Sequence, residues 1–445
     1  MTRLVPAQVR GQGRSSTGRT RRDFFGLREA GAANASGTLA ALAVGLSPMN
    51  YLRFDAIYVT ASDVAMIMAF VVALATSRIS LNFFGPGTSL WLISVLLFCG
   101  GLILGSLVNG DPLDLARVFS QYFFSLVLLP VVLAGRSHAQ VVALLKVLLA
   151  SMVFVNLFGI YVVHFIDEPS LRLVSGNGRL LSLVERANEC AALSAIAMVL
   201  LLGLHLMGRL RARWVVLGLP ILFYGVLLTG SNSGLLTSIL GIGAIVLFCG
   251  TARHIVAALL LVVGAAKVSF EYGAYFLPAV FQERVFGAIV SGSAAEAGTF
   301  VGRAHLNEEA LQVARDTLIF GLGADQYREA SMHQNPVHNA FLLALTEGGI
   351  LSLMGLVGLL LTGVFLAMQA MRMRHSQKDG ILTLVALLIF TLMLNMLPFF
   401  YGRFFNVPLV LFMALSASRL SEANASLKAV PSHLESSGIP FGIDA

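Results

Sequence analysis

The chain repeatedly contains runs of about 20 mostly apolar residues, the length a helix needs to cross a bilayer. The runs lack the period-two alternation of membrane barrel strands, and a helix satisfies its own backbone hydrogen bonds in lipid. Of the 445 residues 57% are hydrophobic and 12% charged, whereas soluble domains contain about 25% charged residues. A soluble fold could not bury so much apolar surface. The sequence therefore predicts an all-α, polytopic membrane protein.

Twelve membrane-spanning helices are predicted, with both chain termini on the same side of the membrane. The predicted spans are 36–50, 62–77, 88–108, 115–134, 139–163, 187–207, 214–230, 233–250, 254–268, 338–370, 380–400 and 404–419. Arginine and lysine concentrate in the N-terminal tail and in alternate connections, and the positive-inside rule places these segments in the cytoplasm. The same asymmetry explains the net charge of +7, so no nucleic-acid partner is expected.

This topology divides the chain into five parts. Residues 1–35 are predicted to form a disordered basic cytoplasmic tail, residues 36–268 to contain spans one to nine, and residues 269–337 to form a large periplasmic loop. Residues 338–420 contain the last three spans, and residues 421–445 form a second cytoplasmic tail.

The large loop is polar, and ordered loops of this length are usually functional. Residues 302–320 have the periodicity of an amphipathic helix, which Gly321 and Gly323 end. One face of this helix is predicted to contain Leu306, Ala310, Leu311 and Ala314.

A set of motifs lies within and after this loop. Gly302-Arg303 precedes the amphipathic helix, Phe320-Gly-Leu-Gly323 follows it, His338-Asn339 opens the next span, and Glu347-Gly348-Gly349 lies inside that span. Their order and spacing resemble the C-terminal region of the O-antigen ligase and O-antigen polymerase superfamily. The similarity extends over residues 170–400, and its His-Asn and Glu-x-Gly elements are the most specific.

Two earlier motifs also resemble this superfamily. Arg186-Ala-Asn188-Glu189 opens one span, and Thr229-Gly-Ser231-Asn232 forms a turn between two others. The family has an arginine after the serine of this turn, and that arginine is associated with binding of a lipid-linked pyrophosphate. Asn232 stands there instead, which puts one phosphate contact in doubt. Neighbouring arginines are candidates to compensate: Arg172, Arg179 and Arg186.

The resemblance implies a metal-independent glycosyltransferase of the bacterial inner membrane. Such enzymes transfer a glycan from undecaprenyl pyrophosphate to an acceptor hydroxyl on the periplasmic side. The acceptor is lipid A core for a ligase and a lipid-linked repeat unit of a surface polysaccharide for a polymerase. The departure at Asn232 slightly favours a polymerase or an atypical member. No cofactor is implied, and membrane lipids are the other expected partners.

This chemistry suggests roles for individual side chains. Departure of pyrophosphate needs cations, and the planar guanidinium of Arg303 suits that role. A base must take the acceptor proton, and His338 titrates in the right range. We predict both as catalytic. The predicted substrate-binding residues are Arg179, Arg186, Arg284, Asn339 and Glu347. His333 and His338 lack a third credible metal ligand, so no metal site is predicted.

Other interpretations remain open at this stage. His338 and Arg303 are also compatible with ordinary polar residues at helix starts, and Glu347 with a structural hydrogen bond where Gly348 and Gly349 pack. A polysaccharide or lipid exporter is the alternative function, and a catalytically inactive scaffold is a third. An exporter would favour internal repeats and charges near the bilayer midplane. Here the spans are nearly free of charge, which favours an enzyme that acts at the membrane surface.

Overall fold

The structure is a computed structural model that describes residues 35–54, 59–276, 281–282, 300–397, 400 and 402–428. Most of the two predicted tails lies outside these ranges, and so does Arg284, one of the predicted substrate-binding residues.

The described residues form an almost entirely helical protein. Its helices are α1 Ala35–Leu46, α2 Ala61–Ala75, α3 Thr88–Val108, α4 Pro112–Leu133, α5 His138–Phe165, α6 Ala187–Leu206, α7 Ala212–Thr229, α8 Asn232–Cys249, α9 Ala252–Phe276, α10 Phe300–Asp316, α11 Tyr327–Ala330, α12 Ala340–Met371, α13 Gln377–Leu394 and α14 Arg403–Lys428. Within the described part of the chain, the only sheet is an antiparallel pair, β1 Arg53–Phe54 and β2 Val59–Thr60. This architecture confirms the predicted fold class.

Each predicted span corresponds to a helix, and ten of these helices are long and apolar enough to cross a membrane. The first two predicted spans correspond to α1 and α2, which are too short to meet that criterion. Helix α2, for example, has 15 residues, whereas a full crossing needs about 20. Apolar composition alone therefore predicted two more spans than the helix lengths of the described residues support.

Helix α6 lies at the centre of the bundle, since 89% of the residues in its 18-residue apolar stretch are buried. It packs against α7, α8, α5 and α13. Helix α9 lies at the edge of the bundle, since none of its 18-residue apolar stretch is buried, and it contacts mainly α8. The first turn of α6 therefore has a rigid support for any side chain that it presents.

Helix α12 is interrupted near its start. Gly349 has a φ of 63°, which breaks the helical path, and the segment that precedes α11 inserts at the break. Three backbone hydrogen bonds of 2.8 Å close this junction: Leu322 N–H to the Thr346 carbonyl, Gly323 N–H to Glu347, and Ile350 N–H to Leu318. The inserted segment replaces the helical hydrogen bonds that the break removes, as membrane proteins require.

Glycines of α3 allow this junction to pack closely. A side chain at Gly105 would collide with the carbonyl oxygens of Phe320 and Glu347, and one at Gly101 would collide with the Gly348 carbonyl. Helix α3 therefore packs closely against the break in α12 and against the segment inserted there.

The loop helix α10 ends at Asp316, four residues before the predicted end. Of the residues predicted to share one face, Ala310 and Ala314 are buried, whereas Leu311 is 49% exposed, so this face is not uniformly buried. The buried face instead packs Ala310 against Tyr327 and Val337. It thereby holds α10 against the segment that leads into α12.

Candidate functional site

His338 precedes α12 at the point where the chain leaves the loop. Its ring is half-buried, and its pKa is lowered by burial and by the positive charges of Arg303 and Arg186. The imidazole is therefore neutral near pH 7 and able to accept a proton. These three residues come from the segment before α12, from α10 and from the start of α6. Folding thus brings together two predicted catalytic residues and one predicted substrate-binding residue, although they are far apart in the sequence. We call this group, together with Arg179 and Glu189, the polar site.

Asn339 begins α12 as its N-cap. Its side-chain oxygen accepts hydrogen bonds from the backbone N–H groups of Phe341, at 3.0 Å, and Leu342, at 3.2 Å. Its amide nitrogen lies 3.5 Å from the side-chain oxygen of Asn395, at the end of α13. These contacts fix the first turn of α12 and therefore the position of His338 next to it.

Arg186 immediately precedes α6, and its side chain is 53% exposed. Its guanidinium lies 3.5 Å from the carboxylate of Glu189, one turn later. The Glu189 side chain is largely buried, with 11% exposed. Sequence reasoning included Glu189 in a motif but gave it no role. A carboxylate in the first turn of a span, three residues after an arginine, was the signal for such a pair.

Arg179 is bound into the neighbouring turn between α7 and α8. Its guanidinium donates to the Thr229 carbonyl oxygen at 2.8 Å and to the side-chain oxygen of Asn188 at 2.9 Å. The Ser231 hydroxyl donates to the same Asn188 oxygen at 3.1 Å. Asn232, which occupies the position of the family's arginine, is the first residue of α8 and directly follows Ser231. Arg179 is therefore anchored beside the position where the expected cation is replaced.

Glu185, also overlooked from the sequence, fixes the backbone just before Arg186. Its φ of 65° places it in the left-handed region, which is unusual for a residue other than glycine. Its carboxylate accepts hydrogen bonds from Arg53 at 2.7 Å and from Asn50 at 2.9 Å, and it also pairs with Arg172. This cluster ties the loop before α6 to the β1–β2 hairpin.

Glu347 lies at the break in α12, and its side chain is buried. Its carboxylate faces the backbone N–H groups of Asp325 and Tyr327, in the segment between α10 and α12. These contacts connect Glu347 to the junction that holds the loop in place. These contacts agree with the alternative role of Glu347 considered from the sequence, that of a structural hydrogen bond.

An apolar groove runs between α7, α8 and α9 and encloses about 920 Å³. At one end it is lined by Leu227 and Leu235, which pack with Phe281. Leu227 lies two residues before Thr229, the residue that binds Arg179. The groove therefore leads from the lipid-facing surface of the bundle to the turn next to the polar site.

Within the described ranges, no three His, Cys, Asp or Glu side chains are grouped in a way that could hold a metal ion.

The fold and the polar site define a membrane-spanning helical bundle whose charged and polar groups converge at the ends of several helices. A family model described as O-antigen ligase matches residues 217–357, from within α7 to the middle of α12. This match confirms the predicted resemblance to the O-antigen ligase and polymerase superfamily. Together with the ten spans, it indicates a multi-pass bacterial membrane protein.

Comparison with curated proteins found no match to this chain. Among solved structures, the chain is similar to one described as "Structural coordination of polymerization and crosslinking by a peptidoglycan synthase complex". The two are 18% identical, the similarity covers 73% of this chain and 96% of the other, and the TM-score is 0.40.

Proposed function

We propose that this protein is a glycosyltransferase of the O-antigen ligase and polymerase type. Its donor is a glycan linked to undecaprenyl pyrophosphate, and its acceptor is a hydroxyl of lipid A core or of a lipid-linked repeat unit. The observation that carries this proposal is the convergence of His338, Arg303 and Arg186 at one end of the bundle. Such a group supplies a base and two cations for transfer from a phosphate leaving group.

His338 removes the proton from the acceptor hydroxyl, and the resulting oxygen attacks the anomeric carbon of the donor. The bond from that carbon to the phosphate oxygen breaks, and its electron pair leaves with the diphosphate. Arg303 and Arg186 stabilise this charge through hydrogen bonds to the phosphate oxygens. Their positive charges also keep His338 neutral before the donor binds, because they lower its pKa. The leaving group needs no metal ion in this scheme.

Asn339 and Glu347 support this chemistry indirectly in our proposal. Asn339 caps α12 and orients His338, while Glu347 secures the junction below it. Arg179 binds the donor phosphate from its anchored position next to Ser231, where the family's arginine is replaced.

The apolar groove next to α9 is the proposed location of the polyprenyl chain. Its volume of about 920 Å³ provides space for part of such a chain. A chain in the groove would place its diphosphate near the turn at Thr229. The lipid around the protein is equally apolar, so the groove contributes more to position than to affinity.

We place the polar site on the periplasmic face of the inner membrane and both termini in the cytoplasm, on the basis of the arginine and lysine distribution. Reporter fusions after Asn335 and after Ser376 test this orientation. We expect the first to be periplasmic and the second cytoplasmic. The reverse result would contradict the proposal, because the donor glycan is outside.

The function is tested with the purified full-length protein in liposomes that contain a lipid-linked glycan and an acceptor. We expect transfer that His338→Gln abolishes and EDTA leaves unchanged. Transfer at the wild-type rate by His338→Gln would refute the mechanism. In a deletion strain, unligated lipid-linked polymer would indicate a ligase, whereas single repeat units would indicate a polymerase. We favour the polymerase, because Asn232 departs from the usual family motif.

A further inference from the structure

Glu189 is a buried carboxylate that the proposed reaction does not yet use. It lies in the first turn of α6, and only 8% of the residue is exposed. A carboxylate in such a place is costly unless a cation compensates it. Arg186 is the cation that pairs with it, and the Arg186 side chain remains 53% exposed. A buried acid is thus paired with an accessible guanidinium next to His338.

We propose that Glu189 is a positioning residue that holds Arg186 before the donor binds and releases it to the diphosphate when the donor arrives. This inference rests on the proposed function, since it assigns a role within the same site. Glu189 touches neither the donor nor the acceptor in this scheme. It acts through Arg186, with which it forms its ion pair, although its charge also interacts with Arg179.

The geometry of the pair suits such an exchange. Its N–O distance is 3.5 Å, whereas charge-assisted hydrogen bonds between nitrogen and oxygen are typically about 2.7–2.9 Å. The neighbouring pair of Arg53 with Glu185 has a distance of 2.7 Å. The contact between Arg186 and Glu189 is therefore loose. Phosphate oxygens can form two parallel hydrogen bonds to a guanidinium, which makes them strong competitors for Arg186.

The backbone before Arg186 is fixed, so the exchange involves the side chain alone. Glu185 holds the left-handed conformation at this point, and Arg53, Asn50 and Arg172 bind its carboxylate. Backbone conformations of this kind persist only where surrounding contacts impose them, and they cluster at functional sites. Arg186 thus combines an anchored backbone with a guanidinium that can change partners.

Binding of inorganic pyrophosphate to the purified full-length protein, measured by calorimetry, tests this role without requiring turnover. Glu189→Gln keeps the shape of the side chain and removes its charge. We expect it to bind pyrophosphate up to about fivefold more tightly, because the competing anion is gone and an ion pair with an exposed partner contributes at most about that factor. Glu189→Asp retains the charge and should bind like the wild type. Arg186→Gln should bind more weakly.

The double variant with Arg186→Gln and Glu189→Gln separates this role from a general electrostatic effect. If Glu189 acts through Arg186, the double variant binds pyrophosphate like Arg186→Gln alone. The exposed Arg117, which pairs with Asp114 at 3.3 Å, provides a control, because Arg117→Gln should leave binding unchanged. Additive effects in the double variant would overturn the proposal, as would unchanged or weaker binding by Glu189→Gln.

Transfer kinetics provide a second readout. We expect Glu189→Gln to lower both KM for the donor and kcat, since the diphosphate product leaves more slowly. A merely structural role would reduce the amount of folded protein and leave KM unchanged. If transfer occurs but Glu189→Gln changes neither pyrophosphate binding nor KM, the positioning role fails alone. If the binding pattern holds but no glycan is transferred, the proposed function fails alone.

Discussion

Asn339 offers a test of whether the polar group next to His338 binds the substrate or holds the helix. Its side-chain oxygen already accepts two backbone hydrogen bonds, at 3.0 and 3.2 Å, in the first turn of α12. If capping is its whole contribution, Asn339→Ser should preserve activity, because serine is an equally good N-cap. Asn339→Ala should lose activity, because alanine leaves these N–H groups without their partner.

The expected size of this loss follows from the cap. Replacing an N-cap residue with alanine costs about 1 kcal/mol, which corresponds to roughly a fivefold change in an equilibrium constant. Activity of Asn339→Ala should therefore fall by up to about fivefold, if the ordered first turn is what places His338. Removal of a general base, by contrast, typically costs about 100- to 10,000-fold. The two roles thus differ by more than an order of magnitude.

Initial rates of glycan transfer by purified variants, at equal amounts of folded protein, distinguish these cases. Losses of about 100-fold or more in both Asn339→Ser and Asn339→Ala would refute the capping role and show that the amide itself contacts the donor or acceptor. Asn339→Asp gives a further check. It retains the cap but places a negative charge next to His338, so it should raise the pKa of His338 and move the acidic limb of the rate profile to higher pH.

Three further predictions concern the base, the cation and the groove. The wild-type rate should fall in acid as His338 becomes protonated, with an apparent pKa below the ordinary value of histidine. Arg303→Gln should move this acidic limb of the rate profile to higher pH, because Arg303 lowers the pKa of His338. An acidic limb that does not move in the folded variant would contradict the effect of Arg303 on His338. Arg303→Ala should lose most activity and Arg303→Lys should not restore it, because lysine lacks the bidentate fork, whereas near-normal turnover in either variant would exclude the role. Gly243 lines the groove, and a side-chain carbon added there would meet nothing within 4 Å, so Gly243→Phe should raise KM for long-chain donors and not for short-chain ones. The control Gly264→Phe, on α9 outside the groove lining, should change neither KM. Equal effects of Gly243→Phe on both donors would argue against a chain in the groove.

The positions of the spans could be predicted from the sequence because each span is a continuous apolar run with polar ends. The same reasoning interpreted residues 338–370 as one unbroken helix, although α12 breaks at Gly349. A local pattern contains no information about the segment that inserts there, since the backbone partners of the break come from residues about 25 positions earlier. The side of α10 that faces the protein was also only partly predicted. Leu311 is exposed, whereas its neighbour Ala310 packs against Tyr327 and Val337 of the following segment.

The meeting of His338 with Arg303 was expected from motif order, but the contribution of Arg186 required the fold. The sequence offered three arginines before α6 as replacements for the cation at position 232, and nothing in their spacing ranked them. Their partners do. Arg172 pairs with Glu185 and lies 4.5 Å from the Tyr51 ring centre, which fits a role in fixing the loop.

Arg179 and Arg186 differ in a way that bears on how this site compensates for Asn232. Arg179 is held at the α7–α8 turn by the Thr229 carbonyl oxygen and by the side-chain oxygen of Asn188. Arg186 forms an ion pair with Glu189, and its positive charge lowers the pKa of His338. A fixed cation suits recognition of the donor, whereas a cation that exchanges its partner suits the charge that develops on the leaving group. We therefore propose that the functions of one arginine at position 232 are divided between these two arginines of the preceding loop, which would make the departure from the family motif compatible with the same chemistry.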